Sequence, residues 1–110
     1  MTYFASKEGV TPHEGSGHSS YTLLTQANGC VNGCRAGISV YAETTYDKPG
    51  CHDDQEGFVV LSGSGWAIIG DEEKLVEPGV AFIVPKNTPH SIKASSNQTA
   101  VTVFWFHAAV

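Results

Sequence analysis

The stretch PGCHDDQE, residues 49–56, places His52 four positions before Glu56 and leads directly into an apolar run at 58–61. A second stretch, PKNTPH at residues 85–90, ends on His90 after two prolines that restrict the backbone to a rigid turn. Side chains near strand ends in a closed sheet point alternately into its interior, so the two stretches can bring two imidazoles and one carboxylate together. Nitrogen and oxygen ligands of this kind suit a divalent transition metal such as Fe, Mn, Ni or Zn, with positions left open for substrate.

Short apolar runs separated by turn residues extend on both sides of these two stretches. Residues 36–44 alternate apolar with small or polar side chains, which is typical of a strand with one buried face. No segment keeps a helical period over two turns. Further strand-like runs lie at 21–26, 58–61, 66–69, 74–76, 81–84, 90–93 and 99–107. Short strands at such regular spacing predict a single all-β domain, a sandwich or a barrel.

The two stretches resemble the paired motifs of the cupin family. In that family a His-x-His pair is followed by a glutamate and a glycine, and a later Pro-x-Gly turn precedes another histidine. The residues of this chain that match in order and spacing are His52, Glu56, Gly63, Gly79, Pro85 and His90. The resemblance covers residues 20–107. It implies a single-domain cupin-type β-barrel, also described as a jelly roll or double-stranded β-helix, and a metal held by His52, Glu56 and His90.

Two departures from the family pattern bear on the site. The first histidine of the His-x-His pair falls on Gly50, which has no side chain to ligate a metal. The glycine of the second motif falls on Asn87, and asparagine is among the residues that best tolerate a positive φ. An alternative alignment places His52 in the first histidine position and Asp54 in the second, but it loses the spacing to Glu56, so we prefer the first alignment.

Other groups could take the metal-coordination position that Gly50 leaves without a ligand. Asp54 is a carboxylate of the right strand parity. Cys51 adjoins His52, although on a regular strand it would face the opposite way. His13 could reach the site from the N-terminal segment, and water molecules could also fill the remaining positions. Asp54, His13 and Cys51 are therefore additional candidates for metal or substrate contact.

The remaining histidines and cysteines receive no role in the site. His107 lies on the last strand, where the pattern leaves its orientation open, and His18 and His107 are interpreted as surface or strand-filling residues. Cys30 and Cys34 lie in a turn-rich segment without the second pair that a zinc site needs. We interpret them as structural, or as a redox-labile pair if the turn brings them close. The odd number of cysteines argues against a disulfide framework.

Composition and charge limit the classes of function. The chain has 110 residues, 41% of them hydrophobic, and a formal charge of −5 with only six scattered Lys and Arg, so nucleic-acid binding is not expected. No apolar run approaches the roughly 20 residues of a membrane span, and the start of the chain lacks the apolar core of a signal peptide. We expect a cytoplasmic protein with no membrane partner.

Two domain-level expectations follow from the glycine- and serine-rich start of the chain. Residues 1–20 should form an irregular N-terminal arm, followed by the barrel at 21–110. Because the arm and the exposed sheet edges offer pairing surfaces, a homodimer is predicted.

Two functions compete. The first is a small metal-dependent enzyme of dioxygenase, isomerase or lyase type that acts on a small polar or sugar-like substrate. The second is a non-catalytic binding or sensor module for a sugar or small acid, with a polar pocket and no metal. Either function requires a small-molecule ligand in the barrel.

Overall fold

The computed structural model describes residues 2–15 and 17–110 of the chain. Within them, two short 3-10 helices cover Lys7–Gly9 and Gln26–Asn28. The strands are β1 (His13–Gly15), β2 (His18–Leu24), β3 (Arg35–Tyr41), β4 (Glu56–Ser62), β5 (Gly65–Ile69), β6 (Glu72–Val76), β7 (Ala81–Val84), β8 (His90–Ala94) and β9 (Val101–His107). In the described part of the chain no helix has the length and apolar character needed to cross a bilayer.

The strands form two antiparallel sheets. The larger sheet has the order β1-β2-β3-β9-β4-β7 and the smaller has the order β6-β5-β8. Inward-facing residues of both sheets meet in one core, which comprises Phe58, Val60, Ala67, Val76, Val84, Ile92, Val101, Val103 and Trp105. The expected all-β jelly roll of two packed antiparallel sheets is confirmed.

The register of the larger sheet aligns polar residues beside this core. Arg35 on β3 is opposite His107 on β9, and His107 is in turn opposite Glu56 on β4. Because alternate residues of a strand share a face, the neighbouring row on the same face is more apolar. That second row contains Gly37, Trp105, Phe58 and Phe82. One end of the barrel therefore has a polar interior above an aromatic layer.

The N-terminal arm predicted for residues 1–20 is partly regular. β1 pairs with β2, and β2 pairs with β3 from His18 onward, so the predicted boundary at residue 20 falls inside a strand. These residues, rich in glycine, serine and histidine, lack the alternation that reveals a strand in sequence, and pairing with β3 supplies the order instead. Met1 and Ser16 of the predicted arm lie outside the described residues.

Candidate metal centre

Backbone hydrogen bonds join the two motif segments. The Gly50 amide donates to the His90 carbonyl at 2.9 Å, and the His90 amide donates to the Gly50 carbonyl at 3.0 Å. The Asn87 amide donates to the His52 carbonyl at 2.6 Å. Asn87 has a φ of 59°, the left-handed conformation expected at this turn. The turn thus delivers His90 to the segment that carries His52.

Three imidazoles converge on the carboxylate of Glu56. His52 Nε2 lies 3.0 Å and His90 Nε2 lies 3.3 Å from Oε1, while His107 Nε2 lies 3.3 Å from Oε2. One ligand atom each from His52, Glu56 and His90 lies within 4.8 Å of the others. The spatial convergence that the sequence motifs predict is therefore present, and a third imidazole joins it.

The Nδ1 atoms of these imidazoles also have polar partners. Asp54 Oδ1 lies 2.6 Å from His52 Nδ1, and Asp54 Oδ2 lies 2.9 Å from His107 Nδ1. His90 Nδ1 lies 3.1 Å from the Thr88 carbonyl, to which it can donate. Such outer partners fix ring orientation and tautomer in metal sites. They leave each Nε2 directed toward Glu56.

Two groups of the cluster, His90 and Asp54, have pKa values shifted toward the charged form. Burial opposes a charge on His90, but its hydrogen bond to Glu56 and its bond to the Thr88 carbonyl outweigh burial, so the pKa of His90 is raised. Burial likewise opposes a charged Asp54, yet contacts with His107 and His52 lower the pKa of Asp54 overall. A metal ligand must be deprotonated, so binding of a cation by His90 would be opposed by the raised pKa of this imidazole.

The donor set fits a divalent transition metal. It combines imidazole nitrogens with a carboxylate in a largely buried position, the side chains of Glu56, His90 and His107 being 10%, 11% and 6% exposed. The His52 side chain is more open, at 27% exposed. A metal at this position would have both protein ligands and room for exchangeable ones.

The three additional candidates from the sequence, Asp54, His13 and Cys51, lie at different distances from the cluster. Asp54 forms a second group with His52 and His107 whose ligand atoms also lie within 4.8 Å of one another. His13, on β1, lines the same cavity but belongs to neither group. Cys51 is exposed and is not among the residues that line the cavity.

His107 is the site residue that sequence reasoning missed. The sequence leaves its orientation open and favours a surface or strand-filling residue; in the structure it is not on the surface, because the side chain is buried and contacts both Glu56 and Asp54. The alternation of buried residues along β9 could have predicted that His107 is buried. Val101, Val103 and Trp105 alternate with polar or aromatic neighbours, and the same parity puts His107 on the buried face.

The cluster opens into a cavity of about 620 Å³. Its wall includes hydroxyl groups from Ser20, Thr22, Ser39 and Tyr41. Burial and the negative charge of Glu56 raise the pKa of Tyr41 despite a hydrogen bond with Ser39, so this phenol keeps its proton. The cavity is therefore large enough for a small polar molecule beside the imidazoles.

Cys30 and Cys34 lie beside a second cavity that Asp54 and Arg35 also line. Both thiols are free, and their side chains are hydrogen bonded to each other. The turn therefore brings the pair together, as one of the two interpretations of these cysteines requires.

Comparison with known proteins extends this picture. The family described as "Cupin domain" matches residues 37–107. No sequence among proteins with curated descriptions matches the chain. Solved structures agree in fold at low identity, and similarity at that level shows the fold alone.

Three of these structures show how similar in fold, and how low in sequence identity, the matches are. The structure of Fe(II)-HppE with the alternative substrate (S)-1-HPP has a TM-score of 0.82 at 14% identity, with 96% of this chain and 59% of that chain covered. Hydroxypropylphosphonic acid epoxidase from S. wedmorenis in complex with fosfomycin has a TM-score of 0.81 at 15% identity, with 96% and 58% covered. The Schizosaccharomyces pombe Cnp3 cupin domain has a TM-score of 0.78 at 18% identity, with 96% and 72% covered.

This chain thus spans less than two thirds of the first two proteins. The family match includes the imidazole–carboxylate cluster and all strands of the barrel core, and the neighbouring structures reproduce the whole fold. The chain belongs to the cupin family.

Proposed function

We propose that this chain is a small metal-dependent enzyme in which His52, Glu56 and His90 hold a divalent transition metal and His107 supplies a third imidazole. The observation that carries the proposal is the convergence of three Nε2 atoms on one carboxylate. The name Fe(II)-HppE of a structural neighbour supports a metal of this class.

The chain's own groups have separable tasks in such a reaction. A divalent metal here would supply Lewis acidity or activate dioxygen, as dioxygenases, isomerases and lyases require. Asp54 and the Thr88 carbonyl fix the imidazoles that would hold it. Tyr41 lines the cavity with its proton retained and can donate a hydrogen bond to a substrate oxygen. The wall of hydroxyl groups favours a small polar or sugar-like substrate.

The test is metal content. Protein purified without added metal and analysed for elements should contain close to one transition metal per chain. His90→Ala should weaken binding by about tenfold or more, which corresponds to ~1.4 kcal/mol. His13→Ala is the matched control, because His13 lines the same cavity outside both candidate groups. Wild-type protein that contains no metal and cannot be reloaded would contradict the proposal, provided that circular dichroism shows folded protein.

The size of the cavity supports a second candidate, a metal-free module that binds a sugar or small acid. About 620 Å³ exceeds what an ion and a few water molecules need. A thermal-shift series with metals, chelator and sugars separates the two, since a ligand that binds the folded state raises the melting temperature. Stabilisation by sugars without any response to metal or chelator would favour the binding module.

A further inference from the structure

Cys30 and Cys34 lie on a tight turn that brings their side chains together. The Cys34 amide donates a hydrogen bond to the Val31 carbonyl at 3.1 Å. Between these two residues, Asn32 and Gly33 have φ values of 56° and 85°, and two successive left-handed residues are typical of a type I′ turn. Both thiols are free, and the two side chains are hydrogen bonded to each other. The fold therefore places the two sulfur atoms within hydrogen-bond reach.

Backbone contacts with other parts of the chain hold this turn in position. The Cys30 amide donates to the Thr25 carbonyl at 3.2 Å, and the Val110 amide donates to the Asn32 carbonyl at 2.7 Å. Cys34 immediately precedes β3, which pairs with both β2 and β9. Because both sides of the turn are held, the two thiols meet more often than the ends of a free loop of the same length.

A small reagent can reach the pair. Both cysteines are partly exposed and line the second cavity, which has a volume of about 580 Å³. Asp54, which contacts two imidazoles of the candidate metal centre, lines the same cavity. Burial and the adjacent Cys34 raise the pKa of Cys30, so this thiol keeps its proton at neutral pH. Since the thiolate is the nucleophile in disulfide exchange, we assign the first attack to Cys34.

We propose that Cys30 and Cys34 are a reversible redox site that becomes a disulfide by exchange with a low-molecular-weight disulfide such as oxidised glutathione. The Cys34 thiolate attacks one sulfur of the reagent, forms a mixed disulfide and releases the first thiolate. Cys30 then loses its proton to solvent, attacks the Cys34 sulfur and releases the second thiolate.

The two cysteines are thereby oxidised, and the reagent is reduced to two thiols that take up the two protons. Exposed disulfides are among the labile ones, so excess thiol should reverse the reaction. This chemistry needs no metal and does not rest on the proposed function.

The experiment uses Cys51→Ser, which leaves Cys30 and Cys34 as the only cysteines. The protein is equilibrated with oxidised and reduced glutathione at a fixed ratio, treated with iodoacetamide and analysed by mass spectrometry. We expect a product that carries neither glutathione nor an alkylated cysteine, and dithiothreitol should restore both thiols. The equilibrium constant for this internal disulfide should be about tenfold or more higher in folded protein than in concentrated urea, because the turn holds the thiols together.

Single-thiol variants are the matched controls. Cys30→Ser and Cys34→Ser, each combined with Cys51→Ser, should stop at a glutathione adduct because no second thiol is present. In wild-type protein the exposed Cys51 shows that the reagent has reacted.

Four results would each overturn the proposal. They are glutathione adducts at Cys30 or Cys34 of Cys51→Ser without the internal bond, two free thiols under conditions that modify Cys51 in the wild type, a disulfide between two chains, and an equilibrium constant in folded protein no higher than in urea.

Discussion

Gly50 stands where a related cupin would have a metal-binding histidine. Its backbone is bonded to His90 in both directions, and a Cβ built at Gly50 would lie 3.4 Å from His90 Nε2, an ordinary van der Waals distance. The position is thus aimed at the candidate metal centre and open to a side chain. Residue 50 has no ligating side chain, but its backbone conformation and contacts would present one to the candidate centre.

Gly50→His should therefore add an imidazole to the centre. We expect affinity for Zn²⁺ to rise about tenfold or more, because one extra ligand needs to contribute only ~1.4 kcal/mol for that gain. Isothermal titration of chelator-treated protein measures the change. Cys51→His is the matched control, since it adds the same group one residue along on an exposed position. Equal affinities in Gly50→His and wild type would show that the centre does not accept a ligand from this position.

Motif spacing predicts His52, Glu56 and His90 because the relevant positions are close together along the chain or follow a fixed turn. His107 is remote from them in sequence, and only the pairing of β9 with β4 brings it to Glu56. The sequence makes Asp54 a candidate ligand only because it is two residues after His52 and so would face the same side of a strand. The structure adds that it contacts two imidazoles, a role that depends on where β9 ends.

At the scale of elements, sequence pattern predicts the strands with apolar alternation and misses β1 and the start of β2. Residues 81–84 are an example of success, where the predicted run and the strand coincide. β1 comprises His13–Gly15, with exposed residues throughout, and has no apolar face to reveal it. β1 is a strand because it pairs with the edge of β2, and this long-range pairing cannot be predicted from the local sequence pattern.

The contact between β3 and β9 depends on Gly37. A methyl group there would clash with the Tyr21 carbonyl and would lie 2.6 Å from the Trp105 ring, and the backbone carbonyl cannot easily move away. Gly37→Ala should lower the free energy of unfolding by about 1–3 kcal/mol, the usual cost of overpacking. Urea denaturation of both proteins measures the difference in the free energy of unfolding.

Gly9→Ala is the control for this prediction, since the added Cβ would meet only Ser6 Oγ at 3.5 Å. Equal stability of Gly37→Ala and Gly9→Ala would mean that β3 and β9 are less closely packed than described.

At the scale of the whole molecule, one outer face of the larger sheet is apolar and exposed. Val59 and Leu61 on β4, Ile83 on β7 and Phe106 on β9 are 37%, 49%, 50% and 40% exposed. Clustered exposed apolar residues are typical of association surfaces. This face gives the predicted homodimer a specific location in addition to the sheet edges.

Light scattering at tens of micromolar should give the mass of a dimer, and Ile83→Glu should shift the protein toward the monomer because it places a charge in the apolar face. Leu75→Glu is the control, as Leu75 is similarly exposed at 45% on the smaller sheet. A wild-type mass equal to that of one chain would refute the homodimer.

The central position of β9 has a consequence for how the protein matures. Among the described strands, β9 lies between β3 and β4 in the larger sheet, and it follows both of them in the chain. During translation the earlier strands must wait for this distant partner, and such long-range pairing is slow to form. Nascent chains lacking β9 would have neither a closed hydrophobic interior nor His107 beside Glu56, so the candidate metal centre would be complete only after β9 has paired with β4.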